Sequence, residues 1–241
     1  MMKILVDLHT HTVSSGHAYS TITENMKAAS QKGLAIVAMT DHTPGIPGAP
    51  PVVHFDNLKV LPSEMFGVKL LKGAEANIIN YEGEIDLPQA TLNGLDIVLA
   101  SLHSPCIGFA DKETVTAGII KVMENPYVNI IGHPGDNRYP LDLEAVVKAS
   151  KRTGTLLEIN NASLKPGSFR PGVRENLIEM LGYCKAYEVP VVLGTDAHFH
   201  EDIGEFKEAI ELLESLEFPA KLVLNTDPDR LLCHIKQKRL K

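Results

Sequence analysis

The sequence predicts an α/β protein whose parallel strands close into a barrel, and two observations carry that expectation. Short, continuous apolar runs alternate with helix-like stretches about seven times, the pattern of parallel strands joined by helical crossovers. Histidines and acids recur at the C-terminal ends of those runs. An open sheet would scatter such groups along an edge, whereas a closed barrel gathers them at one rim.

The strands follow in order. KILVDLH (3–9), LAIVAMTDH (34–42), KLLKGAEANI (69–78), LDIVLASLH (95–103), VNIIGHP (128–134), TLLEINNA (155–162) and VPVVLGTDAH (189–198) are short and almost uninterrupted in hydrophobicity. Strands buried on both faces look this way. Helices are expected over 22–32, 111–124, 142–153, 173–187 and 204–216, with Thr23, Asp111, Asp142 and Asp202 as early caps. A last helix near 227–238 follows the apolar piece LVLN (222–225). The connection 43–67 is long and rich in Pro and Gly, and such loops usually serve binding. There is no linker or low-complexity segment, so residues 1–241 are expected to form one domain.

Composition narrows the function. Apolar residues make up 44% and charged residues 22%, ordinary for a globular protein. The net charge of −7 argues against nucleic acid or an acidic membrane as partner, since both need a basic face. Cys106, Cys184 and Cys233 lie far apart and form no disulfide framework. The apolar run at the N-terminus is too short for a signal or a membrane span. A cytoplasmic location is expected.

The ten histidines are the informative feature, for they end five separate strands. His9 and His11 close the first strand, with His17 in the next loop. His42 closes the second, His103 the fourth, His133 the fifth and His198 the seventh; Glu75 lies in the third and Asp196 in the seventh. Residues i and i+2 of a strand face the same way, so His9 pairs with His11 and Asp196 with His198. Closure sets the two pairs side by side. Imidazole and carboxylate suit zinc, manganese, iron and related ions. Nine candidate ligands exceed what one ion takes and suffice for two or three, with Glu75 as the bridging carboxylate. Paired ions roughly 4 Å apart clamp a phosphoryl group and lower the pKa of bound water toward about 7.

The ordered motifs DLHTHT, TDH, GAEAN, SLHSP, GHPG, EINN and GTDAH, with HAYS at 17–20, resemble the PHP (polymerase and histidinol phosphatase) superfamily, most closely its YcdX-like phosphatases. The resemblance runs from residue 6 to about 230. It implies a distorted (β/α)7, TIM-like barrel with a trinuclear metal centre at the C-terminal ends of the strands. By that resemblance His9, His11, Glu75 and Asp196 hold one metal, Glu75, His103 and His133 a second, and His17, His42 and His198 a third. The expected ions are two or three divalent metals, zinc first, with manganese or iron as alternatives. The implied activity is hydrolysis of a small phosphate monoester by a metal-bound hydroxide. Glu75 and Asp196 are expected to act in catalysis, with a metal-held water or a pocket histidine such as His200 protonating the leaving group. The partner is a small phosphorylated substrate, with neither nucleic acid nor membrane; a homo-oligomer is allowed.

Other residues carry lesser expectations. Asp41 is expected to orient a ligand, and Glu158 and Asn160 either to do the same or to fill the barrel. His54 is a candidate for substrate contact. Arg138, Lys165 and Arg170 fall in loops on the site side, for substrate or for solvent. His234 is expected to be structural, and Cys106 to lie outside the ligand set. A phosphodiesterase or exonuclease with the same metals is the main alternative. An amidohydrolase fits less well, because His103 stands where a bridging lysine belongs. A non-catalytic metal-binding scaffold is the remaining class.

Overall fold

The computed structural model describes residues 2–240. Its strands are β1 (Val6–Asp7), β2 (Ile36–Met39), β3 (Glu64–Met65), β4 (Val68–Asn77), β5 (Ile97–Ser101), β6 (Ile130–Ile131), β7 (Leu156–Asn160) and β8 (Val191–Gly194). Its helices are α1 (Ile22–Gln31), α2 (Val52–Asn57), α3 (Gln89–Leu92), α4 (Lys112–Glu124), α5 (Leu143–Thr153), α6 (Asn161–Leu164), α7 (Val173–Tyr187), α8 (Lys207–Ser215) and α9 (Pro228–Lys238). The sheet runs β1-β2-β4-β5-β6-β7-β8 and is parallel along that path. This is the TIM-like α/β barrel that the sequence predicts. Every residue of β2, β5, β7 and β8 is buried, which is why those runs are apolar without alternation.

Closure is irregular. β8 does not pair with β1 as a strand. The seam is joined beyond both strands, where the Asp196 amide donates to the His9 carbonyl at 2.8 Å and the His11 amide to the Ala197 carbonyl at 2.8 Å. Deeper in the barrel the buried side chain of Asn225 fills the gap. Its Nδ2 donates to the carbonyls of Val6 (2.9 Å) and Leu193 (2.8 Å), and its Oδ1 accepts from the Leu193 amide (2.8 Å). The LVLN piece is therefore two 3-10 turns serving as a seam, not a further strand. Leu224 of that piece and Leu231 and Ile235 of α9 pack with Val6, Ile36, Ile130 and Val192, so α9 covers the barrel interior.

Several boundaries differ from expectation for identifiable reasons. Thr21, not Thr23, caps α1, because Glu24 at its third helical position completes a capping box with Thr21. Asp111 and Asp142 cap α4 and α5. Asp202 caps nothing: it pairs with Lys165 at 2.7 Å, and Gly204 (φ +73°) turns the chain before α8 starts at Lys207. The connection 43–67 is not bare loop. It holds α2, a 3-10 turn (Leu58–Val60) and β3, which pairs antiparallel with β4 through a Phe66–Gly67 turn.

Candidate metal centre

All nine residues expected to bind metal converge at the C-terminal mouth of the barrel. Glu75, in the last third of β4, sits at the middle. Its Oε1 lies 3.3 Å from His9 Nε2, 3.3 Å from His103 Nε2 and 3.0 Å from His133 Nε2. Its Oε2 lies 2.7 Å from His42 Nδ1 and 3.6 Å from His11 Nε2. Asp196 Oδ1 lies 3.2 Å from His11 Nε2 and 3.6 Å from His9 Nε2. His17 and His198 stand at the rim with their Nε2 atoms 3.1 Å apart. Three overlapping trios bring their ligand atoms within 4.8 Å of one another: His9–His11–Asp196, His11–His42–His198 and His42–Glu75–His103. The resemblance groups His17 with His42 and His198, and the His17 ring does lie against both, with ring centres 4.9 and 4.8 Å away.

The local backbone explains how these side chains arrive. β6 and β8 end at Ile131 and Gly194, and the ligand positions beyond them, His133 (φ +34°) and Asp196 (φ +56°), take left-handed conformations. Asp196 and His198 thus reach the centre through a left-handed turn rather than through strand alternation, which corrects the i, i+2 argument. Strain of this kind persists only where the surroundings over-determine it. Gly194 is required for close approach, since a Cβ there would lie 2.1 Å from Glu158 Oε1 and 2.5 Å from His9 Cβ.

The imidazoles are held from behind. His9 Nδ1 donates to Glu158 Oε1 (2.7 Å), whose Oε2 accepts the His133 amide (2.7 Å). Glu158 therefore orients His9 and His133, both candidate ligands, in line with one of the two readings the sequence left open; Asn160 Nδ2 donates to both Glu158 and Asp196 and braces them. Ser15 Oγ donates to Asp41 (2.7 Å), so it accepts from His11 Nδ1 (3.0 Å). Asp41 thus orients His11 at one remove. Asn77 Nδ2 donates to Asp86 Oδ2 (2.7 Å), which leaves its Oδ1 to accept from His103 Nδ1 (2.6 Å). His198 Nδ1 donates to the Asp196 carbonyl (2.9 Å). Nδ1 of all four rings is thereby engaged, and Nε2 of His9, His11 and His103 turns inward to Glu75 and Asp196. Sequence reasoning missed Ser15, Asn77 and Asp86. Asn77 carried a signal, for it lies two residues past Glu75 on one strand; Ser15 and Asp86 carried none.

Electrostatics agree with this geometry. Burial lowers His11 to about 3, helped by neighbouring His42, and lowers His133 to about 4, helped by Arg170. Both are neutral at pH 7. Burial opposes a charge on His9 too, yet Glu158, Glu75 and Asp196 lift it well above its ordinary value. Burial would raise Glu75 and Asp196; His9, with His103 and His42 around the first and His11 and Arg170 around the second, holds both well below the carboxylate range. Two buried carboxylates that stay ionised call for positive charge between them. The buried Nε2 atoms of His9, His11 and His103 and Glu75 Oε2 have no hydrogen-bond partner. Such a set of orphaned donor atoms fits divalent cations.

A cavity of about 440 Å³ opens over the cluster, lined by His17, His42, His103, Asp196 and His198 and by Arg138, Phe169 and Arg170. Arg170 donates to Asp196 Oδ2 (3.3 Å) and Ser163 Oγ (2.9 Å). Lys165 turns away to Asp202. His200 does not line this cavity; its Nδ1 meets Ser20 Oγ at 3.0 Å. His54 sits elsewhere, on the wall of a separate cavity of about 610 Å³, 3.8 Å from Asp41 Oδ2. His234 Nε2 donates to the Gly154 carbonyl at 2.7 Å, a structural role. Cys106 lies outside the three trios.

One consequence concerns Asn77. Asn77→Ala frees His103 while leaving Glu75 in place, and losing such an orienting partner typically costs about 10- to 100-fold in metal affinity or activity. Turnover and metal dissociation of the purified variant measure it; values within about twofold of wild type would refute the orienting role.

Fold and site define a TIM-like α/β barrel carrying a histidine–carboxylate cluster, able to hold divalent metal, at the C-terminal ends of its strands. Residues 7–162 match the PHP domain, and the chain belongs to the PHP family. A probable phosphatase of Clostridium novyi is 46% identical over 237 residues, covering 98% of this chain and 96% of that protein. A probable phosphatase of Thermoanaerobacter sp. is 47% identical over 241 residues, covering 100% and 98%. With these relatives the chain is a hydrolase of the phosphatase class. The crystal structure of histidinol phosphate phosphatase from Lactococcus lactis, complexed with zinc, L-histidinol and phosphate, matches 89% of this chain and 94% of that chain with a TM-score of 0.61. At 18% identity that likeness is one of fold. Among the described residues no helix is long and apolar enough to cross a membrane.

Proposed function

We propose that this chain, working as one domain, hydrolyses a small phosphate monoester with two or three divalent ions held by His9, His11, His17, His42, Glu75, His103, His133, Asp196 and His198. The observation that carries this reading is the set of four imidazoles tied down at Nδ1 from behind, three of which, His9, His11 and His103, turn Nε2 to the Glu75 or Asp196 carboxylate. Bound there, the ions would neutralise phosphoryl oxygens and acidify a water toward pH 7. Zinc suits imidazole-rich donors best; manganese and iron are the alternatives. The zinc and phosphate in the Lactococcus lactis complex accord with this choice.

The chain's own residues set the reaction's frame. Glu75 touches five histidines and is placed to bridge ions. Asp196 is shared between His9, His11 and Arg170, so the guanidinium stands at the edge of the cluster, where a phosphoryl oxygen would need a donor. Water oxygen bonds to phosphorus, the bond from phosphorus to the leaving oxygen breaks, and a proton ends on that oxygen. His200 is turned to Ser20, so we assign the proton to water in the mouth cavity. The unpaired cysteines accord with a cytoplasmic, reducing location.

The test is release of inorganic phosphate from p-nitrophenyl phosphate before and after chelation. Stripping metal is expected to abolish turnover, and adding a divalent ion back to restore it. Equal rates with and without metal would end the proposal.

A further inference from the structure

Hydrolysis uses the floor of the mouth cavity and leaves its rim unexplained. Phe169 stands on that rim, between α6 and α7, with 70% of its surface open. An exposed phenyl ring is ordinarily loose, but this one is braced. The Arg138 guanidinium lies 5.1 Å from the ring centre and that of Arg170 lies 4.8 Å away. Each guanidinium is itself anchored, Arg138 through Nε and Nη2 on Asp136, Arg170 on Ser163 and Asp196. An ion pair that pins a cation also pins the ring stacked on it. At 70% exposure the arginines leave most of the ring uncovered. The result is a preorganised aromatic surface beside the cavity, whose remaining lining includes the apolar Ile46, Leu102 and Pro105. A single guanidinium, that of Arg170, separates this surface from Asp196 Oδ2. Whatever stacks on Phe169 lies next to the phosphoryl group, not at the far end of a long substrate.

We propose that Phe169 is a specificity-determining residue that stacks on a planar, conjugated ring carried close to the ester oxygen of the substrate's leaving group. This deepens the phosphatase reading and rests on it. The bonds made and broken are unchanged; Phe169 touches only the departing alcohol. A saturated ring of like size fills the same space but offers no π face, and aromatic pairs gain about 0.5–1.5 kcal/mol beyond their area, equivalent to about twofold to thirteenfold in binding.

Benzyl phosphate and cyclohexylmethyl phosphate test this, because both release primary alcohols of similar basicity and similar bulk. Steady-state constants are measured for the metal-loaded full chain as wild type, Phe169→Ala and Phe169→Leu. Wild type is expected to favour benzyl phosphate by about twofold to thirteenfold in kcat/KM. Both variants should bring that ratio close to one, chiefly through a higher KM for benzyl phosphate. Competitive inhibition by inorganic phosphate, which has no leaving group, should stay at the wild-type value. A wild type without preference, or a preference that both substitutions leave intact, overturns the inference while the phosphatase reading stands. Failure of metal-loaded wild type to hydrolyse either ester or p-nitrophenyl phosphate overturns that reading, and the inference with it.

Discussion

Glu75→Ala is expected to lower phosphate release by at least about 10²-fold and to strip metal from the purified protein. Losses on removing a group that only orients a ligand run to about 10- to 100-fold, and Glu75 is placed to bind directly. Its two oxygens face five imidazoles at 2.7 to 3.6 Å. Without that carboxylate the rings keep their tethers on Glu158, Ser15 and Asn77 but lose the central negative charge they share. Cations brought there would meet only Asp196. Turnover and elemental analysis measure the effect, with circular dichroism to confirm folding. A folded variant with full metal and activity within tenfold of wild type would remove Glu75 from the centre of the site.

Asn225→Ala should produce the largest loss of stability. The side chain makes three hydrogen bonds across the seam, all to buried backbone. Alanine leaves the Leu193 amide and the carbonyls of Val6 and Leu193 without that partner. Each orphaned buried group costs about 1–3 kcal/mol, so the total is about 3–5 kcal/mol after partial relaxation. For a chain of this length that lowers Tm by on the order of 10 °C. Calorimetry on wild type and variant decides it, and a shift under about 2 °C would show that the seam holds by other means.

Much of this was legible in the sequence because barrel strands advertise themselves twice. Their apolar runs lack alternation, being buried on both faces, and their last residues are polar, being at the mouth. Thus the parallel order, the end at which the site lies and the pairing of His9 with His11 could be argued from spacing, whereas Asp196 and His198 arrive through a left-handed turn beyond β8. What stayed hidden depends on contacts between distant segments. Nothing near Ser15 says that its hydroxyl will relay Asp41 to His11, and nothing near Asp86 says that it will fix the amide of Asn77. His200 is two residues past His198, yet the 3-10 turn His200–Asp202 carries it to Ser20. The helix in 43–67 was obscured because prolines and glycines flank it, and α2 is only six residues long.

The way the barrel is sealed has a consequence for biosynthesis. The groups proposed to bind metal lie far apart along the polypeptide: His9 and His11 are translated early, whereas Asp196 and His198 follow some 185 residues later, and Asn225 later still. A nascent chain on the ribosome carries its first imidazoles long before the acid that completes their set exists. On the proposed reading, metal loading waits for Asp196 and His198 and is a late event in the life of each molecule.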